Sequence, residues 1–416
     1  QTNRARSSRD DRKISDCGGA GRVKWRTAMQ TQRVGIIMNG ATGRMGTNQH
    51  LLRAVAAIRQ AGGLPAEPDA LILPDPILLG RNPQKLQALA GRAGIEAWST
   101  DPDACLGDPR YPVYFDAQTT GLRAAALTRA IAAGKHIYCE KPTATDTETA
   151  MTLYRACHAA GLKNGVVQDK LWLPGMIKLK RLQQNAFFGR ILAVDIAFGY
   201  WVFEGHSLPA QRPSWNYRRA SHGGILLDMM PHIRYLLDNL CAPVRSVSGT
   251  AAVHLPERID EDGRPFACDV EDAAYLTFAL EGGAIARVTC SWATRVRRDD
   301  LLTIQIDGTR GSAVAGLREC YTQHYGNTPR PVWDPERAPL ERYAEQWGRV
   351  PDQEDYPNPF RAQWECFLRH VVRDAPFPWD LREGAKGVQL AEAAHAAWRR
   401  RQWVDIPELA IAADSA

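Results

Sequence analysis

Between Arg33 and about residue 165 the chain alternates short apolar runs with stretches of helical spacing. The first run, "RVGIIMNGATGRMG", ends on Gly40, Gly43 and Gly46. The next stretch, "TNQHLLRAVAAIRQAGG", carries a helix pattern and stops on Gly62-Gly63. The rhythm repeats as "PDPILLGRN" with "PQKLQALAGRAG", "PVYFDAQTT" with "LRAAALTRAIAAGK", and "HIYCEKP" with "TDTETAMTLYRACHAAG". Thr145 or Asp146 is the N-cap candidate of the last helix. Strand-sized apolar runs that each lead into a helix describe a parallel sheet with helices on its faces.

Past residue 165 the pattern changes. "RILAVDIAFGYWVF", "VRSVSGTAAVHL", "AAYLTFAL", "AIARVTCSW" and "LLTIQIDG" follow one another as strands joined by short turns, which predicts an antiparallel sheet. Two helical stretches, "PFRAQWECFLRHVVRD" and "REGAKGVQLAEAAHAAWRRR", close the chain. A chain of 416 residues exceeds what one hydrophobic core holds, so two domains are expected. The predicted division is 1–30 as a disordered leader or an appended segment, 31–164 as the first domain, 165–404 as the second, and 405–416 as a tail.

Gly40, Gly43 and Gly46 stand between a buried run and a helix. Glycine there allows a tight turn and lets backbone N–H groups approach a pyrophosphate at a helix N-terminus. The spacing is G-x-x-G-x-x-G rather than G-x-G-x-x-G, so the strand–turn–helix setting carries the assignment. Thr42, Arg44 and Met45 share this turn. The second strand ends Gly80-Arg81-Asn82, without the acidic residue that usually holds the ribose hydroxyls. Arg81 suits a 2′-phosphate, so NADP is favoured over NAD.

"AGKHIYCEKPTATD" stops a buried strand on Glu140, Lys141 and Pro142. Strand ends of this kind face the ligand crevice, where a lysine can donate a hydrogen bond to a substrate oxygen. Downstream, "SHGGILLDMMPHIRYLLDNL" sets Asp228 and His232 four residues apart, on one face of a helix. Two readings fit this pair: an N-cap aspartate with a structural histidine, or a carboxylate orienting a proton-transfer imidazole. Pro231 is tolerated only in a first turn, so the helix is expected to begin near Asp228.

These residues form a known pattern. With "GATGRMG", "AGKHIYCEKPTAT", "FFGRILAV" and "GGILLDMMPH", the chain from Arg33 to about residue 400 resembles the glucose–fructose oxidoreductase / inositol dehydrogenase (Gfo/Idh/MocA-type) oxidoreductase family. The resemblance implies an α/β architecture: an N-terminal Rossmann dinucleotide-binding domain, then a C-terminal α+β domain with an open, mostly antiparallel sheet, whose last helices return to the first domain. It implies hydride transfer between the secondary alcohol of a sugar, glycoside or cyclitol and a nicotinamide. His232 is then the acid/base, Asp228 its orienting partner and Lys141 the oxygen-holding cation. The Lys141–Pro142 bond is often cis in such proteins. Cofactor contacts fall on Gly40, Thr42, Gly43, Arg44, Met45, Gly46, Arg81, Asn82, Gln118, Thr119, Thr120, Glu140, Lys141 and Pro142. Substrate contacts fall on Lys170, Trp172, Trp201, Trp215, Tyr217, Arg218 and Tyr235, though at least half of the aromatic and polar groups near 172–218 are expected to be packing residues. The chain departs from the family at Met230, where glycine is usual, at Tyr235, where the last aspartate of the motif falls, and at Arg123, where histidine is frequent.

Charge and cysteine content narrow the alternatives. Of the net charge of +6, residues 1–30 contribute eight Lys/Arg against three Asp/Glu, which leaves no long basic stripe elsewhere for nucleic acid. Nine scattered cysteines without C-x-x-C predict neither disulfides nor zinc, and place the chain in a reducing cytoplasm. Self-association through the open sheet, as a dimer or tetramer, is expected. Three rivals remain at this point: a dihydrodipicolinate-reductase-like enzyme on the strength of "GATGRMG", a non-catalytic NAD(P)-binding sensor, and a metal hydrolase built on His206, His222, Asp228 and His232. No metal is expected.

Overall fold

A computed structural model describes residues 30–66, 70–199, 201–295, 298, 300–332, 334–338 and 342–411. The predicted leader, apart from Gln30, and the last five residues of the predicted tail lie outside the described residues.

The first sheet is built from β1 (Gln30–Asn39), β2 (Leu64–Ala66), β3 (Ala70–Leu79), β4 (Trp98–Ser99), β5 (Val113–Asp116), β6 (His136–Cys139) and β7 (Asn164–Val166). Its order is β2-β3-β1-β5-β6-β7, with β4 beside β3, and every pairing is parallel except that of β2 on β3. From β1 the chain first builds outward through β3, then crosses back to place β5 on the other flank, with Ile36 paired to Val113. That reversal opens a crevice beyond the carboxyl ends of β1 and β5, the usual ligand position in open α/β sheets. The expected boundary at 164/165 falls inside β7. Helices cover both faces: α1 (Ala56–Gln60), α2 (Pro83–Ala93), α3 (Pro102–Gly107), α4 (Thr120–Ala132) and α5 (Thr147–Ala159). A π-helix, Gly46–Val55, leads into α1. Asp146, not Thr145, caps α5, its carboxylate accepting from Thr149 N–H at 2.8 Å.

After α6 (Pro174–Gln184) comes the second sheet: β8 (Ile191–Phe198), β9 (Val244–Ala252), β12 (Ala273–Leu280), β13 (Ile285–Ser291), β14 (Leu302–Gly308), β15 (Gly311–Ala315), β16 (Cys320–His324), β17 (Gly348–Arg349) and β18 (Val404–Asp405). A small hairpin of β10 (Glu257–Ile259) and β11 (Pro265–Ala267) stands apart. The nine-stranded sheet is antiparallel except where β8 meets β13. Strict alternation in β12 and β13 buries Leu276, Phe278, Ala286 and Val288 on one face, while Tyr275, Ile285, Arg287 and Thr289 face outward. The buried face packs on α7 (Ile225–Leu240) in a single core containing Leu226, Ile233 and Leu237.

Two closing helices, α8 (Pro359–Arg373) and α9 (Leu381–Arg400), join the domains. Trp364 of α8 is fully buried against Phe115 and Tyr138 of the first sheet. On α9, Gly387 lies so close to Pro231 of α7 that a Cβ there would fall 2.8 Å from the proline Cα. The last helices therefore fix α7 relative to the nucleotide crevice.

Candidate active site

The glycine turn sits at the carboxyl end of β1, with Gly40 in the left-handed region at φ 77°. A Cβ on Gly46 would meet the Gly40 carbonyl oxygen at 2.3 Å, so the turn closes only with glycine there. Thr42, Gly43 and Arg44 are exposed, Met45 is half-buried, and the following helix has no side-chain cap. Uncapped first-turn N–H groups beside an open crevice fit a pyrophosphate. In the β1–β3 register, Asn39 pairs with Leu79, which brings exposed Arg81 level with the turn. Asn82 serves the scaffold: its side-chain oxygen caps α2, accepting from Lys85 N–H at 2.9 Å.

Beyond β5, half-buried Gln118, exposed Thr119 and buried Thr120 lead into α4. Arg123, buried below them, donates to Asp116 at 3.1 Å, to the Gln118 carbonyl at 2.7 Å, and to the Pro142 carbonyl. It thereby ties the loop after β5 to the loop after β6. The position where the resemblance leads one to expect a histidine is thus held by an arginine that serves the scaffold.

Lys141 and Pro142 are joined by a cis peptide bond. Lys141 Nζ donates to Asp228 Oδ1 at 2.8 Å and to the Asp228 carbonyl at 3.0 Å. Glu140, expected at the cofactor, is instead buried. Its Oε1 is 2.7 Å from His50 Nε2, and its Oε2 accepts from Lys141 N–H at 3.0 Å. Trp364 Nε1–H donates to His50 Nδ1 at 3.0 Å, so the Nε2 proton of His50 goes to Glu140. A buried carboxylate needs such partners, and they hold Glu140 below its usual range against the opposing effect of burial.

Asp228 and His232 both lie on α7, but the helix starts at Ile225, not near Asp228. Pro231 is therefore inside the helix, and the Leu227 carbonyl loses its i+4 donor. Asp228 is not an N-cap. Its second oxygen lies 2.6 Å from Arg212, whose guanidinium sits between the Phe203 and Trp292 rings at 4.8 and 4.9 Å. Burial opposes ionisation of Asp228, but Arg212 and Lys141 outweigh it and hold the carboxyl well below the usual carboxylate range.

The carboxylate of Asp228 thus serves two cations, and no hydrogen bond joins it to His232. The imidazole's partner is Tyr235, whose hydroxyl is 2.7 Å from Nδ1. Among the described residues Nε2 of His232 has no hydrogen-bond partner. Burial first, then Lys170, Lys141 and Arg212, push the imidazole well below its ordinary value, so it is neutral at physiological pH. Lys170 Nζ pairs with Asp169 at 2.9 Å and lies 5.8 Å from the Phe198 ring centre, which is itself 5.8 Å from the His232 ring.

The expected substrate contacts divide. Lys170 faces the same site as His232. Tyr235 is buried and spends its hydroxyl on His232 and Lys170 N–H, so it does not face substrate. Tyr217 is a core residue, its hydroxyl donating to the Phe203 carbonyl and its ring stacked under Arg258. Arg218 stacks on Phe266, and Trp172 packs edge-on against Trp379 in the interdomain aromatic cluster. Trp201 is 45% exposed and Trp215 half-buried, in the loop region that also delivers Arg212. The sequence does not single out Arg212 or Trp292. Nothing in "QRPSWNYRR" separates Arg212 from its neighbouring arginines. Among the described residues no three His, Cys, Asp or Glu side chains converge on a possible metal site, so His206, His222, Asp228 and His232 do not form one.

Comparison with known proteins agrees with this fold. Residues 34–167 match the model of an oxidoreductase family with an NAD-binding Rossmann fold, and residues 176–314 match that of the GFO/IDH/MocA C-terminal domain. A D-xylose dehydrogenase of Paenarthrobacter nicotinovorans is 47% identical over 92% of this chain and all of its own length. A levoglucosan dehydrogenase of Pseudarthrobacter phenanthrenivorans is 26% identical over 69% of this chain and 74% of its own. Among solved structures, levoglucosan dehydrogenase in complex with NADH and L-sorbose superposes with a TM-score of 0.74 at 23% identity, covering 90% of this chain and 99% of that one.

Proposed function

The chain belongs to the Gfo/Idh/MocA oxidoreductase family, and from that premise we propose that it oxidises a ring carbinol of an aldose, D-xylose foremost, with NADP or NAD as the hydride acceptor. Being an NAD(P)-dependent sugar oxidoreductase, it is neither a mere nucleotide sensor nor a dihydrodipicolinate-reductase-like enzyme. One observation supports the mechanism: Lys141 Nζ is bonded to Asp228 at 2.8 Å, and His232 stands one turn further along the same helix, with Lys141 among the cations that push its imidazole toward the neutral form.

Residues of the glycine turn, Arg81 and the loop 118–120 would hold the dinucleotide. A bound nicotinamide supplies the hydride acceptor; the protein supplies position and proton transfer. Lys141 donates to the carbinol oxygen and stabilises negative charge as its proton leaves. Asp228, ionised and clamped by Lys141 and Arg212, keeps that ammonium aimed and is no proton acceptor itself. His232 Nε2, unpartnered and neutral, takes the proton, and returns it in reduction. Lys170 and Arg212 border the site and contact sugar hydroxyls.

Arg81, where an acidic residue would select the free ribose, supports the preference for NADP. The outward face of the second sheet, with Tyr275, Ile285 and Thr289, supports a homo-oligomer formed through it. No described helix is long and apolar enough to cross a membrane, and the cysteine usage supports a cytoplasmic site of action. The test is absorbance of the reduced nicotinamide with D-xylose, levoglucosan, myo-inositol and sugar acids, each with NAD and NADP. Turnover of D-xylose above the others is expected. Absence of turnover on every aldose would overturn the reading.

A further inference from the structure

We propose that a second cavity, away from the nucleotide crevice, binds a small hydroxylated oxyanion: a sugar acid or a sugar phosphate. The proposal goes beyond the dehydrogenase reading and does not depend on it. The cavity has a volume of about 520 Å³, within the range of small-molecule sites. It lies where the C-terminal half of α7, the start of β9, the N-terminal half of α9 and residues 406–409 come together. None of Lys141, Lys170, Arg212, Asp228 and His232 lines it.

Arg234 is the most buried cation on its wall, at 7% exposure. Its Nε donates to Asp238 Oδ2 at 2.6 Å, and the other Asp238 oxygen accepts from Val244 N–H at 3.1 Å. That carboxylate is therefore spent on holding the guanidinium in place. Among the described residues neither Nη1 nor Nη2 of Arg234 has a hydrogen-bond partner, and Nη1 is fully shielded. Leaving such donors buried and unmet is costly. The free two-nitrogen edge of a planar guanidinium matches a carboxylate or a phosphate.

Two more side chains on the wall carry a buried polar atom without a partner: the donor Trp379 Nε1 and the acceptor Gln389 Oε1. The Gln389 amide nitrogen donates to the Pro407 carbonyl at 2.8 Å, so the oxygen is the group left over. A bare anion offers nothing to that oxygen, whereas an anion that also carries hydroxyl groups does. Arg382 adds a second cation. Its Nε donates to the Leu409 carbonyl at 2.9 Å, and it has no carboxylate partner among the described residues. Arg245 and Lys386, also on the wall, are paired with Glu281 and Glu383. Glu408 opposes an anion, but it is exposed at the rim, where solvent and salt screen it.

The test is calorimetric titration of the full chain, saturated with dinucleotide so that the glycine turn is occupied. The probes are D-xylonate, D-ribose 5-phosphate and inorganic phosphate. At least one of the two hydroxylated anions should bind, and inorganic phosphate should bind at least about tenfold more weakly than that one, since it leaves Gln389 unmet. The tighter of the two identifies the head group as carboxylate or phosphate. Arg234→Gln and Arg382→Met should each weaken that binding by at least about tenfold. Arg382 is only half-buried, so its variant keeps the test sharp if Arg234→Gln does not fold. Lys141→Met, which alters the crevice alone, should leave the affinity within about twofold. Wild type that binds neither hydroxylated anion would overturn the proposal. So would inorganic phosphate binding as tightly as both, or binding that survives Arg382→Met and is lost in Lys141→Met, which would put the anion in the crevice.

Discussion

Replacing Lys141 with methionine keeps the length of the side chain and removes its charge. In the structure Nζ touches one oxygen and the carbonyl of Asp228, and both side chains are largely shielded, at 15% and 18% exposure. Breaking a buried ion pair by removing one partner costs about 3–5 kcal/mol. Here Arg212 stays on the second oxygen at 2.6 Å, so Asp228 is not left uncompensated and the stability loss should be only about 1–2 kcal/mol. The chemical step loses more. A preorganised donor aimed at an oxygen that gains charge is worth about 2.7–4 kcal/mol, or ~10²–10³ in kcat. Lys141 is also one of the three cations that push His232 down, so its removal raises the imidazole and moves the acid limb of the rate profile to higher pH. The assay is initial-rate absorbance of the reduced nicotinamide across pH 5–9, with dinucleotide affinity by calorimetry and a melting curve as controls. Near wild-type turnover in a folded, dinucleotide-binding variant would refute the assignment of Lys141, and an acid limb displaced downward would refute the electrostatic argument.

Arg212→Leu should raise the Asp228 carboxyl toward the ordinary range, lower kcat by at least about tenfold and raise KM for the sugar, since a guanidinium held between Phe203 and Trp292 is lost with its charge; unchanged steady-state constants would refute a role for it. Arg81→Asp should shift preference from NADP toward NAD by at least about tenfold in kcat/KM, the ratio being measured at fixed sugar; an unmoved ratio removes Arg81 from the ribose site. Stability should decline as pH falls below about 6.5, because His136, His232, His370 and His395 all have values depressed by burial first, and the unfolded chain then binds the protons the folded chain refuses. Asp116, pushed up by burial, works the other way but is one group against four, and Asp228 adds its loss only below about pH 4. Melting temperatures from pH 7.5 to 5.0 test this, and a flat series refutes it.

The run from "RVGIIMNGATGRMG" to "HIYCEKP" was enough to specify a parallel sheet with a glycine turn, because strand length, helix period and glycine spacing are local properties of the chain. The same holds for Lys141 at a strand end and for Asp228 and His232 on one helix face. What those side chains do to one another was not local. Asp228 and His232 share a face, and local spacing offers a hydrogen bond between them. Lys141, 87 positions earlier, and Arg212 from a loop claim that carboxylate instead. Tyr235 reads as an aromatic wall for a sugar until the backbone N–H of Lys170 arrives from another element and, with His232, occupies its hydroxyl. Glu140 reads as a cofactor contact until α8 brings Trp364 behind His50. Periodicity and spacing determined which elements form and which faces they bury. Which charge neutralises which, and therefore which group is left free to move a proton, was decided only by the tertiary structure, because an ion pair depends on distances between atoms that the chain brings together from far apart.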